Sequence, residues 1–158
     1  MQFEYTARST PQQNSMVETG FSYILNKARA LLIEANIPYL TRYKIMHEAI
    51  ITATKLDNLA IVELDGKFKT RYEHFEGKLP KFVKHLRVWG EAGVVKIKSK
   101  IAPKLKDKGV TTMFAGYTNN HDGDCYKMWE PKLHNIYITR DVIWLKRMYF
   151  SKNDNKEE

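Results

Sequence analysis

Two groups of residues in this chain have types and spacing suited to chemistry. The first is a lysine series: Lys96, Lys98 and Lys100 alternate with Ile97 and Ser99, and Lys104, Lys106 and Lys108 follow. On a strand, alternate residues share one face, so Lys96, Lys98 and Lys100 would stand together while Val95 and Ile97 turn inward. Such a row suits a phosphate backbone, and it also suits an edge strand guarded against pairing. The second is the polar stretch Thr10-Pro11-Gln12-Gln13-Asn14, followed closely by the carboxylate Glu18. A lone helical carboxylate is ordinarily a solvated surface group. His47 has no second His or Cys at metal-ligand spacing, so it reads as a helix residue and not as a ligand. Cys125 is the single cysteine, which excludes an internal disulfide and a cysteine-based zinc site made by this chain alone.

Charge agrees with the lysine series. The 158 residues carry a net charge of +8. Residues 84–150 hold 13 Lys and Arg against 6 Asp and Glu, whereas residues 1–83 hold 11 against 9. The excess sits in the second half, and it favours acidic partners, nucleic acid first. Hydrophobic content of 43% is that of a globular chain, and no apolar run is long enough for a membrane span or a signal segment.

The elements that must position these residues divide into two kinds. Ser9 or Thr10 can cap a helix with Pro11 in its first turn, and Thr10 with Gln13 fits a capping box. Val17, Phe21, Ile24, Leu25, Ala28, Leu31, Leu32 and Ala35 then recur at helical spacing, with Pro38 at or beyond the end. A second helix is predicted over Tyr39 to Leu56, and a short one over Thr70 to Phe75 with Thr70 as N-cap. Asp57-Asn58 and Asp65-Gly66 read as loop punctuation. From Leu86 the period changes. Strands are expected at Leu86–Trp89, Ala92–Ile97, Val110–Tyr117, Cys125–Trp129, Asn135–Thr139 and Val142–Leu145, enough for a small closed or partly closed barrel. The large aromatics Trp89, Phe114, Tyr117, Trp129 and Trp144 are expected to be core, and Arg140-Asp141 a turn or ion pair.

Several stretches in order resemble one family. Thr10-Pro11-Gln12-Gln13-Asn14 followed by Val17-Glu18 is similar to the last catalytic motif of copia-type LTR-retrotransposon integrases. Thr70-Arg71-Tyr72-Glu73-His74-Phe75 with Gly77-Lys78-Leu79-Pro80 resembles the family's linker. His85-Leu86-Arg87-Val88-Trp89-Gly90, Phe114-Ala115-Gly116-Tyr117, Tyr126-Lys127-Met128-Trp129-Glu130-Pro131 and Thr139-Arg140-Asp141-Val142-Ile143-Trp144 resemble the Src-homology-3-like barrel that follows the integrase core in such polyproteins. The chain departs from the pattern at Ser15, where Gly is usual, and at Thr19-Gly20-Phe21-Ser22, where a basic run is common.

The resemblance implies an α+β chain: residues 1–78 as the helical end of a ribonuclease-H-like integrase core, residues 84–150 as the barrel, and 151–158 as a polar tail. It implies a parent that performs metal-dependent 3′-end processing and DNA strand transfer, with Mg²⁺ or Mn²⁺ held by carboxylates of which Glu18 is one. Residues 1–17 contain no Asp, so this chain by itself is expected to be catalytically incomplete and to bind no metal. Gln12, Gln13 and Asn14 would approach DNA beside Glu18, and Lys96, Lys98, Lys100, Lys104, Lys106 and Lys108 would contact it from the barrel. Implied partners are DNA and further integrase copies. The implied setting is intracellular, in cytoplasm, virus-like particle or nucleus. A co-opted binding or assembly module and a non-functional pseudogene product are the alternatives. The stripe Val17, Phe21, Ile24, Ala28 and Leu31 has no evident cover in the sequence, and an exposed stripe of that kind promotes self-association.

Overall fold

A computed structural model describes residues 15–96, 109–118 and 123–152. The expected cap at Ser9 or Thr10 lies outside them. Helix α1 spans Ser15–Glu34. It ends in a Schellman motif: Asn36 takes a left-handed φ of 54°, its N–H donates to the Ile33 carbonyl, and the Ile37 N–H donates to Leu32. Ile37 is then fully buried, and the chain reverses through Pro38 into a 3₁₀ turn, Tyr39–Thr41, and helix α2, Arg42–Asp57. Ala28, Leu32 and Ala35 of α1 meet Ile45, Ala49 and Ala53 of α2, and the alanines bring the two helices close.

Next comes a hairpin, β1 (Ile61–Leu64) and β2 (Lys67–Thr70), turned by Asp65-Gly66. Both turn residues have positive φ, 52° and 70°, as a two-residue type I′ turn requires. Helix α3, Arg71–Glu76, follows immediately. Its Thr70 cap and Glu73 satisfy each other's backbone in a full capping box. A 3₁₀ segment, Lys81–His85, leads to the sheet.

That sheet has five antiparallel strands: β3 (Glu91–Lys96), β4 (Gly109–Tyr117), β5 (Tyr126–Glu130), β6 (Asn135–Thr139) and β7 (Val142–Met148), in the order β6-β5-β4-β3-β7. Strands β6 and β7 are opposite edges, yet only Arg140 and Asp141 join them. Three Cα–Cα steps span about 11 Å at most. The sheet must therefore curl until its edges nearly meet, which makes it a partly closed barrel. Its interior holds Val95, Phe114, Tyr117, Tyr126 and Met128, with Phe82, Tyr137, Val142 and Trp144 beside them. Phe114 packs edge-on against Tyr117, Tyr126 and Trp144.

Three expectations need correction. Leu86–Trp89 is not a strand: it runs outside the sheet so that the Trp89 indole can reach the Ala115 carbonyl at 2.9 Å. Asp65-Gly66 is not mere punctuation but the turn of a hairpin. The α1 stripe does have a cover over its C-terminal half, because the helical pair packs on the outside of the barrel. Ala28, Leu32, Ile45, Ala49 and Ala53 share one core with Trp89, Met113, Ala115 and Trp129, and Ile24 and Leu31 pack against it. Val17 and Phe21 stay exposed.

A bulge in β4 makes this packing possible. The register with β5 shifts between Phe114 and Gly116. Phe114 and Tyr117 point into the barrel, while Ala115 and Gly116 both meet the helical side. The Ala115 carbonyl also accepts the Thr52 hydroxyl at 3.3 Å. Gly116 has φ of 140°, and a Cβ there would stand 2.6 Å from Thr52 Oγ1. At Gly90, with φ of 93°, a Cβ would strike Ala35.

Helix α2 also docks through a polar stripe. Glu48 holds Lys127 of β5 at 2.8 Å with both side chains mostly buried. Lys55 donates to the carbonyl of Tyr117 at 2.7 Å. At the end of α2, the buried carboxylate of Asp57 takes Lys27 of α1 on one oxygen and Arg71 of α3 on the other. Burial alone would push the Asp57 carboxyl up, but the hydrogen bond from Lys27 and the charges of Arg71 and Lys27 outweigh it and hold it below the usual value.

Two outcomes are expected. Gly116→Ala combines a strained φ with a clash against Thr52, and should cost about 2–3 kcal/mol in denaturant unfolding. In a double-mutant cycle Thr52→Ala should recover only the steric part. For Asp57, whose folded pKa lies below its unfolded value of about 3.9, the stabilisation is present above that value and is lost as pH falls through the folded one. The gap in thermal midpoint between wild type and Asp57→Asn should be widest near neutrality and close below about pH 4.

Candidate nucleic-acid interface

Strand β3 delivers the first residue of the lysine series. Val95 is buried in the barrel and Lys96, the next residue, is exposed at the strand's end. The inward and outward alternation is therefore as the pattern predicts up to Lys96. Lys96 lies opposite Gly109 of β4. The 97–108 connection between β3 and β4 thus leaves and re-enters the sheet at one place. That connection contains Lys98, Lys100, Lys104, Lys106 and Lys108 against one acid, Asp107. These five lysines lie outside the described residues. Beside their point of attachment is a surface depression of about 500 Å³ lined by Val94, Lys96, Gly109, Asp141, Val142 and Ile143.

Other cations flank β7. Lys146 takes a left-handed φ of 53° where the pairing with β3 shifts register, and it stands exposed with Arg147. Arg87 places its guanidinium 4.6 Å from the centre of the Trp144 ring. Its own backbone N–H donates to the Tyr117 hydroxyl at 2.8 Å. Burial pushes the Tyr117 phenol up to about 12, so it stays protonated at neutral pH. Trp144 is accordingly half-buried under a cation and less enclosed than Trp89, Phe114, Tyr117 and Trp129. Arg140 and Asp141 form the link from β6 to β7, and Arg140 lies 3.9 Å from Asp124.

The candidate catalytic residue is separate from these. Glu18 is exposed in the first turn of α1, between the uncovered Val17 and Phe21. Gln12, Gln13 and Asn14 lie outside the described residues. Among the described residues no three His, Cys, Asp or Glu side chains converge on one point. A pair of Mg²⁺ or Mn²⁺ ions needs several oxygen ligands, so the described residues do not fit a two-metal centre by themselves.

Similarity to known proteins agrees with the barrel. Residues 92–158 match the model of a family described as the retroviral polymerase SH3-like domain. Strands β4 to β7, and β3 from Ala92 onward, fall within that match, so the β half is similar to retroviral-polymerase SH3-like domains. The chain is also 28% identical over 141 residues to the Retrovirus-related Pol polyprotein from transposon TNT 1-94 of Nicotiana tabacum. That similarity covers 89% of this chain and 10% of the relative. Together the two matches bear out the copia-type resemblance: the chain corresponds to a stretch of a retrotransposon Pol polyprotein about a tenth of the relative's length. No solved structure matches it.

Because Glu18 is exposed and touches the fold only through a helix end, Glu18→Gln should change unfolding stability by less than about 1 kcal/mol. A larger loss in denaturant titration would mean that the carboxylate is structural.

Proposed function

We propose that this chain is the DNA-handling end of a retrotransposon integrase, in which the SH3-like barrel holds a lysine-rich connection against the phosphate backbone. The observation that carries the reading is the coincidence of two facts. The chain resembles a Pol polyprotein over most of its length, and its densest positive charge is fastened at Lys96 and Gly109, on a β3–β4 pair anchored by the barrel core. The helical part, residues 1–78, would be the last portion of a ribonuclease-H-like catalytic core, and residues 84–150 the barrel. Parent activity would be 3′-end processing and strand transfer. Mg²⁺ or Mn²⁺ would there stabilise the attacking and leaving oxygens at phosphorus. Glu18 would contribute one carboxylate, and the others would come from outside this sequence. Gln12, Gln13 and Asn14 would meet the DNA end beside it. Integrase copies would associate, and the exposed Met16, Val17 and Phe21 on α1 offer apolar surface for a covering element. The setting would be cytoplasm, virus-like particle and nucleus; no described helix is long and apolar enough to cross a membrane.

One observation favours a second reading, a stand-alone basic binding module. The α1–α2 pair finds its cover on the barrel of the same chain, so its core does not depend on a catalytic sheet.

The test is duplex-DNA binding by the purified chain at several salt concentrations. Log K should fall linearly with log salt, and Lys96, Lys98 and Lys100→Ala together should flatten the slope by roughly 2–3. Salt-insensitive binding, or none, would refute the DNA reading. Strand joining with Mg²⁺ or Mn²⁺ should require a longer polypeptide, and there Glu18→Gln should abolish it. Joining by this chain alone would overturn the incomplete-site reading.

A further inference from the structure

Away from Lys96, three elements bring lysines to one cleft. The C-terminal half of α2 supplies Lys55, the segment after α3 supplies Lys78, and the 3₁₀ segment supplies Lys81. Tyr72, Leu79, Pro80, Phe82, Thr118 and Gly123 complete the walls of a space of about 440 Å³. A second cleft of about 460 Å³ continues from it, sharing Lys81 and Gly123 and adding Lys84, His85 and Asp124. Among the described lining residues of the two clefts Asp124 is the one carboxylate, and it already faces Arg140 at 3.9 Å.

The walls are fixed. Phe82 stacks on Tyr117 with ring centres 4.7 Å apart. Gly123 lies so close to the Lys81–Phe82 backbone that a Cβ there would come within 2.6 Å of the Phe82 nitrogen. The groove is thus held in shape by the same contacts that tie the linker to the barrel. Lys55 is the telling residue. Its ammonium is half-buried and donates to the carbonyls of Tyr117 at 2.7 Å and Thr118 at 3.5 Å. Those are dipoles, not counter-charges, and among the described residues Lys55 forms no ion pair. An ammonium has three protons to donate, and a half-buried charge without a counter-ion is costly. Burial first, and then the charge of Lys127, depress its pKa against the pull of Glu48. An anion in the cleft would relieve both effects.

We infer that this groove, from Lys55 through Lys78 and Lys81 to Lys84, is a second phosphodiester-binding track that seats the backbone of duplex DNA. The inference rests on the DNA reading above and adds a site separate from the 97–108 lysines. An open groove with lysines supplied by three elements along its length fits the repeating charge of a phosphate chain.

The experiment uses the full chain and a short duplex oligonucleotide. Lys78→Gln with Lys84→Gln, both at exposed positions, should lower the slope of log K against log salt by about 2 at an unchanged thermal midpoint. Lys55→Gln should add to the loss. Amide resonances of Lys81, Thr118 and Gly123 should shift on adding DNA, and should still shift when Lys98, Lys100, Lys104, Lys106 and Lys108 are all changed to Gln. If wild type binds DNA, the groove variants bind equally well and these amides do not move, the groove is refuted while the DNA reading stands. If wild type does not bind, both fall. Amide shifts produced by poly-glutamate but not by DNA would also overturn the inference, in favour of an acidic protein partner. Shifts produced equally by inorganic phosphate, with no change of slope in the variants, would reduce it to a free-anion site and overturn it as a DNA track.

Discussion

The carbonyl of Ala115 is where the two halves of the chain are joined. In an unbroken strand that oxygen would belong to the ladder. The bulge after Phe114 frees it, and it accepts the Trp89 indole at 2.9 Å and the Thr52 hydroxyl at 3.3 Å. Both donors are buried, so each would cost about 1–3 kcal/mol if left unpaired. The same bulge puts two successive residues, Ala115 and Gly116, on the outer side, and both must be small because a helix lies against them. One extra residue in β4 therefore gives the barrel an outer face on which α1 and α2 can bury Ala28, Leu32, Ile45 and Ala49. Without it Tyr117 would leave the barrel interior, where it packs against Phe82 and Phe114.

That dependence sets the electrostatics of the interface. Helix α2 presents Glu48, Thr52 and Lys55 to β4 and β5, positions spaced four and three apart on one face. Each finds a partner of a different kind: an opposite charge, a bulged carbonyl, and the carbonyls at the end of β4. The ordinary apolar face of α2 is turned toward α1. The helix is thus committed on two sides, and a rotation that improved one would break the other. Asp57 closes the arrangement by tying α1 and α3 to the end of α2. Only the Asp57 carboxylate is buried there, while Lys27 and Arg71 reach solvent, so losing one cation leaves a buried carboxylate with the other, and solvent screening limits the cost.

Local chemistry made much of this legible from the residues. Thr70 with Glu73 announced α3, the 3.6 period announced α1 and α2, and alternation located β3 to β7 to within a few residues. What was not legible has a common cause. The register of β4 against β5, the choice of Trp89 to leave the sheet, and the cover for α1 are all decided between segments distant in sequence. Leu86–Trp89 has the composition of a strand, and a single hydrogen bond to Ala115 overrides it. The Asp65-Gly66 hairpin is the exception. Asp-Gly between two short stretches such as Ile61–Leu64 and Lys67–Thr70 is a local signal for a type I′ turn, and it could have been read. In the candidate site, Lys96 was placed by alternation alone. The contact of Lys55 with the Tyr117 carbonyl was not legible, because it joins segments 62 residues apart in sequence.

Where the charge sits then follows from how the barrel is built. In this sheet order β4 is central and buried on both faces from Thr112 to Tyr117, so it can carry no cation over that span. Basic residues are pushed to what the packing leaves free: the connection between β3 and β4, the outer face of β7 and the linker between α3 and β3. The first lies where β3 ends at Lys96, and the third runs past the other end of β4, where Tyr117 and Thr118 receive Lys55. A row of buried strand residues thus separates two cationic regions at opposite ends of β4, about 27 Å apart along nine residues at 3.4 Å per step. That separation approaches one turn of B-form DNA, about 34 Å. On the proposed DNA reading, a single duplex lying along the barrel would engage both ends without any base contact, and its binding would be governed by charge, geometry and salt, with little regard for sequence.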